Sequence, residues 1–295
     1  MSRRCGLALC AIGASAVLSG QAHAQRLSTM PCTDAPAFIL ITYPKASDKV
    51  LAEKALKQMR ESVRDFAAPR KELCVVEKQL SDEMLKRSGF RADTVLTTID
   101  AKLLAMQMRA DEFLEFAVEP RGQGFLFTGR LVLSRDERLY DRIPTPDVGE
   151  NMSQAAKWFV LKLKEVRSQL PHEQKCMSLA RDQKFAEAET AARAGIAAFP
   201  EATISRLCLA VAMKGAKKSP DAVLVVVNDV LKRDAVNVVA LLLAINAHFD
   251  KSDTTNYARA AGQFVAIDPG NAAVENIVAT LAAWNRASSG ESCWR

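Results

Sequence analysis

Three segments punctuate the carboxy-terminal part of the chain at a common interval: Phe199-Pro200-Glu201-Ala202, Arg233-Asp234-Ala235-Val236-Asn237 and Ile267-Asp268-Pro269-Gly270-Asn271, about 34 residues apart. A fixed spacing of that size constrains the fold more than composition does. It marks copies of one helix-turn-helix unit, which cannot bury its apolar face alone and must stack on the next copy. Helices are expected at about 172–182, 185–198, 201–215, 220–233, 236–249, 254–266 and 271–285, with 171–287 forming the repeats and 288–295 a tail without periodicity.

The preceding residues, 38–170, read differently. Phe38-Ile39-Leu40-Ile41-Thr42-Tyr43-Pro44 is a continuous apolar run stopped by proline, as expected of a strand covered on both faces. Ser47 is positioned to cap a helix whose stripe is Val50, Leu51, Ala55, Met59, Val63 and Phe66. A second strand, Leu73 to Glu77, follows, so a parallel crossover is the default. Short helices are expected over Asp82 to Ser88, opened by Ser81 and ended by Gly89, and over Lys102 to Arg109, capped by Asp100. Glu112 to Glu119 and Phe125 to Ser134 are expected as an antiparallel hairpin across Pro120-Arg121-Gly122-Gln123-Gly124. A long helix, Met152 to Gln169, would bury Trp158, Phe159, Leu163 and Val166. The fold class is therefore α+β: a small mixed-sheet α/β domain followed by an all-α helical solenoid.

At the amino terminus, Arg3-Arg4, the apolar stretch Cys5 to Leu18 and Ala22-His23-Ala24 have the form of a secretory signal peptide, with cleavage expected after Ala24 and a polar leader over 25–37. The apolar stretch is shorter than the ~20 residues of a membrane-spanning helix, and no other segment approaches that length. No lipobox precedes Cys5 or Cys10. A periplasmic or secreted mature chain is expected. There are 40 basic side chains against 34 acidic ones, and cleavage removes only Arg3 and Arg4 from that balance. The charges are spread along the chain without the clustering of a nucleic-acid-binding face. Five cysteines remain after processing: Cys32, Cys74, Cys176, Cys208 and Cys293. Export permits disulfides and the odd count leaves one thiol over. Cys176 and Cys208 fall at near-equivalent places on consecutive first helices and are expected to bridge. Cys32 with Cys74 is the pairing expected in the first domain. Buried reduced thiols remain the alternative.

Chemistry-bearing residues do not assemble into a reaction centre. His172 and Cys176 lie four apart on one helix, half of a zinc spacing, but no second pair completes it. His248 falls within the apolar pattern Leu241, Ala244, Ile245, Phe249 and reads as a packed residue. Asp250, Ser252, Thr254 and Asn256 alternate like the start of a calcium loop, but Thr255 and Ala261 stand where its glycine and glutamate belong, so a polar turn is expected. Gly122-Gln123-Gly124 sits between strands, with no helix behind it to hold a phosphate. No Gly-x-Ser-x-Gly occurs. Neither a cofactor, a metal nor a catalytic role is expected.

Phe185, Ala188, Gly195 and Pro200 occupy the aromatic, small, small and proline positions of a tetratricopeptide unit, with Leu179 on its first-helix large residue, and Ile267, Asp268, Pro269 and Asn271 repeat its end. The carboxy-terminal half resembles that family, although the motif's tryptophan is absent and the second unit holds an extra residue. Residues 38 to about 142 resemble the amino-terminal domain of the TolB periplasmic protein in the order of elements, in Met108 to Leu114 and in Arg130 to Asp136. The helices that follow here replace the β-propeller of TolB, so no propeller partner carries over.

The tetratricopeptide resemblance implies a peptide groove on the first helices of successive units. Its register places Met177, Arg181, Val211, Lys214, Asn246 and Phe249 on that face, with packing between helices as the competing role for several. The expected function is a non-catalytic adaptor holding a protein or peptide partner of the cell envelope, in envelope assembly or maintenance. The alternatives are a ligand-binding or enzymatic first domain with the repeats as a dock, and a homo-oligomeric structural element.

Overall fold

The computed structural model describes residues 37–68 and 73–288. The expected signal peptide, the leader up to residue 36, Cys32, Cys293 and the tail from 289 lie outside the described residues. Within them the chain runs β1 Phe38–Ile41, α1 Lys49–Ala67, β2 Cys74–Val75, α2 Lys78–Arg87, α3 Thr98–Gln107, β3 Glu112–Arg121, β4 Gly124–Leu133 and β5 Tyr140–Arg142. Helices follow: α4 Met152–Arg167, α5 Leu170–Arg181, α6 Phe185–Ala198, α7 Thr203–Gly215, α8 Pro220–Arg233, α9 Val238–Asp250, α10 Thr254–Ile267 and α11 Ala273–Ser288. The architecture is α+β.

The strands form one mixed sheet in the order β2-β1-β3-β4-β5, with β1 parallel to β2 and β3, and with β3, β4 and β5 antiparallel in turn. Strand alternation sends residues to two different layers. Ile39, Ile41, Leu114, Phe116, Phe127 and Leu131 meet Ala55, Met59 and Val63 of α1 and Phe159 and Leu163 of α4. The opposite face, Leu40, Phe113, Val132 and Tyr140, meets Leu85 of α2 and Ala101, Leu104 and Ala105 of α3. Helices on both sides are why the Phe38 run could be apolar throughout.

Several expected boundaries moved, each for a local reason. Asp48 and not Ser47 caps α1, accepting from Leu51 N at 2.8 Å, and Val50, expected in the buried stripe, is 62% exposed. α2 begins at Lys78, not beside Ser81, with Glu77 as a cap residue whose side chain makes no bond to the helix's first amides. Thr97 caps α3, its Oγ1 accepting from Asp100 N, while Asp100 sits in the first turn and its carboxylate accepts from the same hydroxyl. β3 and β4 extend to a two-residue turn at Gly122-Gln123, with Gly122 at φ +58° where a left-handed residue is needed. The expected long helix ends at Arg167, two residues early, and the next begins at Leu170, while Trp158 is only half-buried.

The helical half matches the repeat expectation closely. Ser219, Asn237 and Asp253 cap α8, α9 and α10 by accepting from Ala222 N, Ala240 N and Asn256 N. The segment from Asp250 to Asn256 is thus the polar turn between two helices. Gly195 lets α6 approach its neighbours, since a Cβ there would lie 2.4 Å from Ser205 Oγ and 3.2 Å from His172 Cβ. First helices touch one another, α5 with α7 and α7 with α9, whereas among the described residues no comparable contact joins α6 to α8 or α8 to α10. A stack whose first helices pack more closely than its second helices bends toward the first.

Candidate functional site: the first-helix face and its junction with the sheet

Three buried carboxylates fix the helices against the sheet. Asp141, on the edge strand β5 and 1% exposed, accepts from Thr203 N at 2.7 Å, Ile204 N at 3.2 Å and Gln169 Nε2 at 2.7 Å. Ala202, which precedes α7, has no side-chain oxygen, so the strand supplies the cap that the helix lacks. Gln169 Oε1 in turn accepts from Ser205 N. Burial pushes the Asp141 carboxyl up from its ordinary 3.8 to about 6, against the lowering by its backbone and side-chain hydrogen bonds. Asp234, at the end of α8, accepts from Tyr140 Oη and from Arg142 Nη2 at 3.0 Å. Burial, and then this bond, raise the Tyr140 hydroxyl above its usual range. Glu173 of α5 accepts from Arg135 in the β4–β5 loop, and burial raises that acid as well. Phe199 and Ala202 belong to the same apolar cluster as the sheet and α4, and Leu139 packs against the cluster of the helical half.

The six residues expected to line a groove fall into two kinds. Val211 is 36% exposed, and Arg181, Lys214 and Asn246 are exposed. Arg181 Nε donates to the Met177 carbonyl at 3.3 Å, which holds its stem along α5. Lys214 borders a depression of about 270 Å³ between α7 and α9, facing Leu243, Ala247 and Asp250, with Lys217 and Lys218 beside it. Met177 is half-buried against the repeat core. Phe249, though 49% exposed, stacks on Trp284 at 5.6 Å and leans on Tyr257 at 6.3 Å, so it closes the last helices together as well as facing solvent.

The disulfide expected between Cys176 and Cys208 is present, tying α5 to α7. It removes Cys176 from any metal role beside His172. Cys74 is disulfide-bonded and 1% exposed; Cys32, its expected partner, lies outside the described residues. His248 is half-buried, with Nδ1 3.3 Å from the Asp253 carboxylate.

One region escaped the sequence. The half of the sheet face left uncovered by α3 floors a cleft of about 990 Å³, walled by the ends of α7 and α8. Arg130 lies across it, donating to Glu115 at 2.6 Å and to Thr98 Oγ1 at 2.6 Å, with its guanidinium 4.8 Å from the Tyr140 ring centre. Arg142, Asp234 and Tyr43 also face the cleft, and the Tyr43 hydroxyl has no hydrogen-bond partner. Polar residues alternating along β3 and β4 are the only trace of it in the sequence. No protein-family model, no curated protein and no solved structure matches this chain.

Proposed function

We propose that the protein is a non-catalytic adaptor of the periplasm or the extracellular space, whose first-helix face holds a peptide segment of a partner involved in building or maintaining the cell envelope. The observation that supports this reading is the contact of α5 with α7 and of α7 with α9, without comparable contact between α6 and α8, on helices that expose Arg181, Val211, Lys214 and Asn246. Exposed apolar and hydrogen-bonding groups alternate there as a peptide backbone and its side chains require. The tetratricopeptide-like register and the TolB-like order of the first domain agree with it. The Cys176–Cys208 bridge suits an oxidising compartment, and no described helix is long and apolar enough to cross a membrane.

Val211→Asp with Asn246→Lys changes two exposed side chains and is expected to leave the melting temperature within about 2 °C, since surface substitutions move stability little. Affinity capture compared between wild type and this variant should show a partner retained by the first and lost by the second. Equal retention by both would remove the groove from the mechanism.

A second reading, a ligand-binding first domain with the repeats as one wall, is favoured by the junction cleft, where Arg130, Arg142, Glu115 and Asp234 converge. Under it, Arg142→Ala abolishes a ligand-induced rise in melting temperature; a rise that survives the substitution counts against it.

A further inference from the structure

A different cavity, of about 720 Å³, opens where the amino-terminal ends of β1 and β3 meet the elbow between α4 and α5. Its walls are apolar: Ala37, Phe66, Met106, Leu133, Leu170 and Pro171. Four basic side chains border it, Arg109, Arg135, Lys164 and Arg167, against three acids, Asp111, Glu112 and Glu173. Two of the acids are buried in ion pairs, and the third, Asp111, is exposed but engaged by a backbone amide. Glu112 and Glu173 are each 1% exposed and held by Arg167 at 2.6 Å and by Arg135 respectively, while Asp111 accepts from Phe38 N at 2.8 Å. Arg109, Arg135 and Lys164 are exposed, and Arg109 and Lys164 have no acidic partner among the described residues. Lys164 Nζ lies 5.7 Å over the Phe66 ring, at the edge of the apolar wall.

A largely apolar pocket whose cations outnumber its acids, with two of those acids buried in ion pairs, complements a molecule with an anionic head and a hydrocarbon body. We propose that this cavity binds a single-chain anionic amphiphile, with its carboxylate or phosphate between Arg109 and Lys164 and its chain against Phe66, Met106 and Leu170. The apolar surface continues along α3 through Leu103 and Ile99, exposed at 53% and 61%, which gives a longer chain somewhere to lie. The volume falls within the range of small-molecule sites, about 300–1,000 Å³. This site is separate from the first-helix face, so it stands or falls independently of the adaptor reading.

Isothermal titration of the full chain at pH 7 tests it with decanoate, octanoate and decyltrimethylammonium. Decanoate is expected to saturate one site and octanoate to bind about tenfold more weakly, from two methylenes at the usual transfer increment. The quaternary ammonium should not bind. Arg109→Asn, chosen because asparagine tolerates the φ of 54° at that position, combined with Lys164→Gln should weaken decanoate by about tenfold. Met106→Asp, at an exposed position that leaves folding intact, should abolish binding. Absence of saturable decanoate binding overturns the proposal. So does equal binding of the ammonium amphiphile, or unchanged affinity in the double variant.

Discussion

Asp141→Ala is expected to lower unfolding free energy by about 3 kcal/mol and to loosen the helices from the sheet before either half unfolds. The substitution leaves Thr203 N–H, Ile204 N–H and the Gln169 amide without their acceptor at a site closed to water. Buried donors left unpaired cost about 1–3 kcal/mol each. Part of that is offset because the carboxylate itself is costly to bury. Hydrogen exchange at Thr203 to Arg206 should rise well above exchange in the sheet core, and equal protection of the two would contradict the assignment.

The same residue gives a pH signature. Its carboxyl is raised from 3.8 to about 6 in the fold, so the folded state holds its proton more tightly than the unfolded chain. The contribution to stability is therefore complete below pH ~4 and is lost as pH rises through ~6, about 1.3 kcal/mol of it between pH 5 and 7. Asp141→Asn should flatten this slope in urea titrations at the two pH values, and a slope unchanged by the substitution would assign it to another group.

Removing the bridge between α5 and α7 should be as costly. Cys176 and Cys208 are 32 residues apart, and opening a loop of that size releases about 3–4 kcal/mol of unfolded-state entropy. For a chain of this size that corresponds to a fall in melting temperature of roughly 8–12 °C. Cys176→Ala with Cys208→Ala provides the measurement without a reductant. Both sulfurs lie in a core that is closed to water, so the alanines add a small void term in the same direction. A shift under about 2 °C would mean that the link does not form in solution.

The sequence made the repeats legible because their ends are written locally. Ser219-Pro220, Asn237 and Asp253 each cap the helix that begins beside them, and a side chain that satisfies an amide three residues away leaves a readable sign. The sheet was legible where an apolar run marked a strand, even the two-residue β2. β5 was not, since Tyr140-Asp141-Arg142 lies in a charged stretch without such a run. Helix starts were misread where two capping residues stood close together, as with Ser47 and Asp48, or where the cap residue, Glu77, turns its carboxylate to Arg64 and not to the helix's first amides.

The junction was invisible for a different reason. Asp141 meets Thr203 across 62 residues and Arg142 meets Asp234 across 92, and a charge committed to so distant a partner looks in sequence like any surface charge. The residues proposed for the groove were placed by register alone. Val211, Lys214 and Asn246 are exposed, but register could not foresee that Phe249 would also stack on Trp284 in the closing helix.

The adaptor reading turns on which side of the helical stack makes contact in the cell. Photo-crosslinking amino acids placed at Arg181 and Asn246, with Val225 on the second-helix side as a control at 71% exposure, address that directly. The same specific partner should be trapped from both first-helix positions and not from Val225. Capture from Val225 alone, or from none of the three, would contradict it.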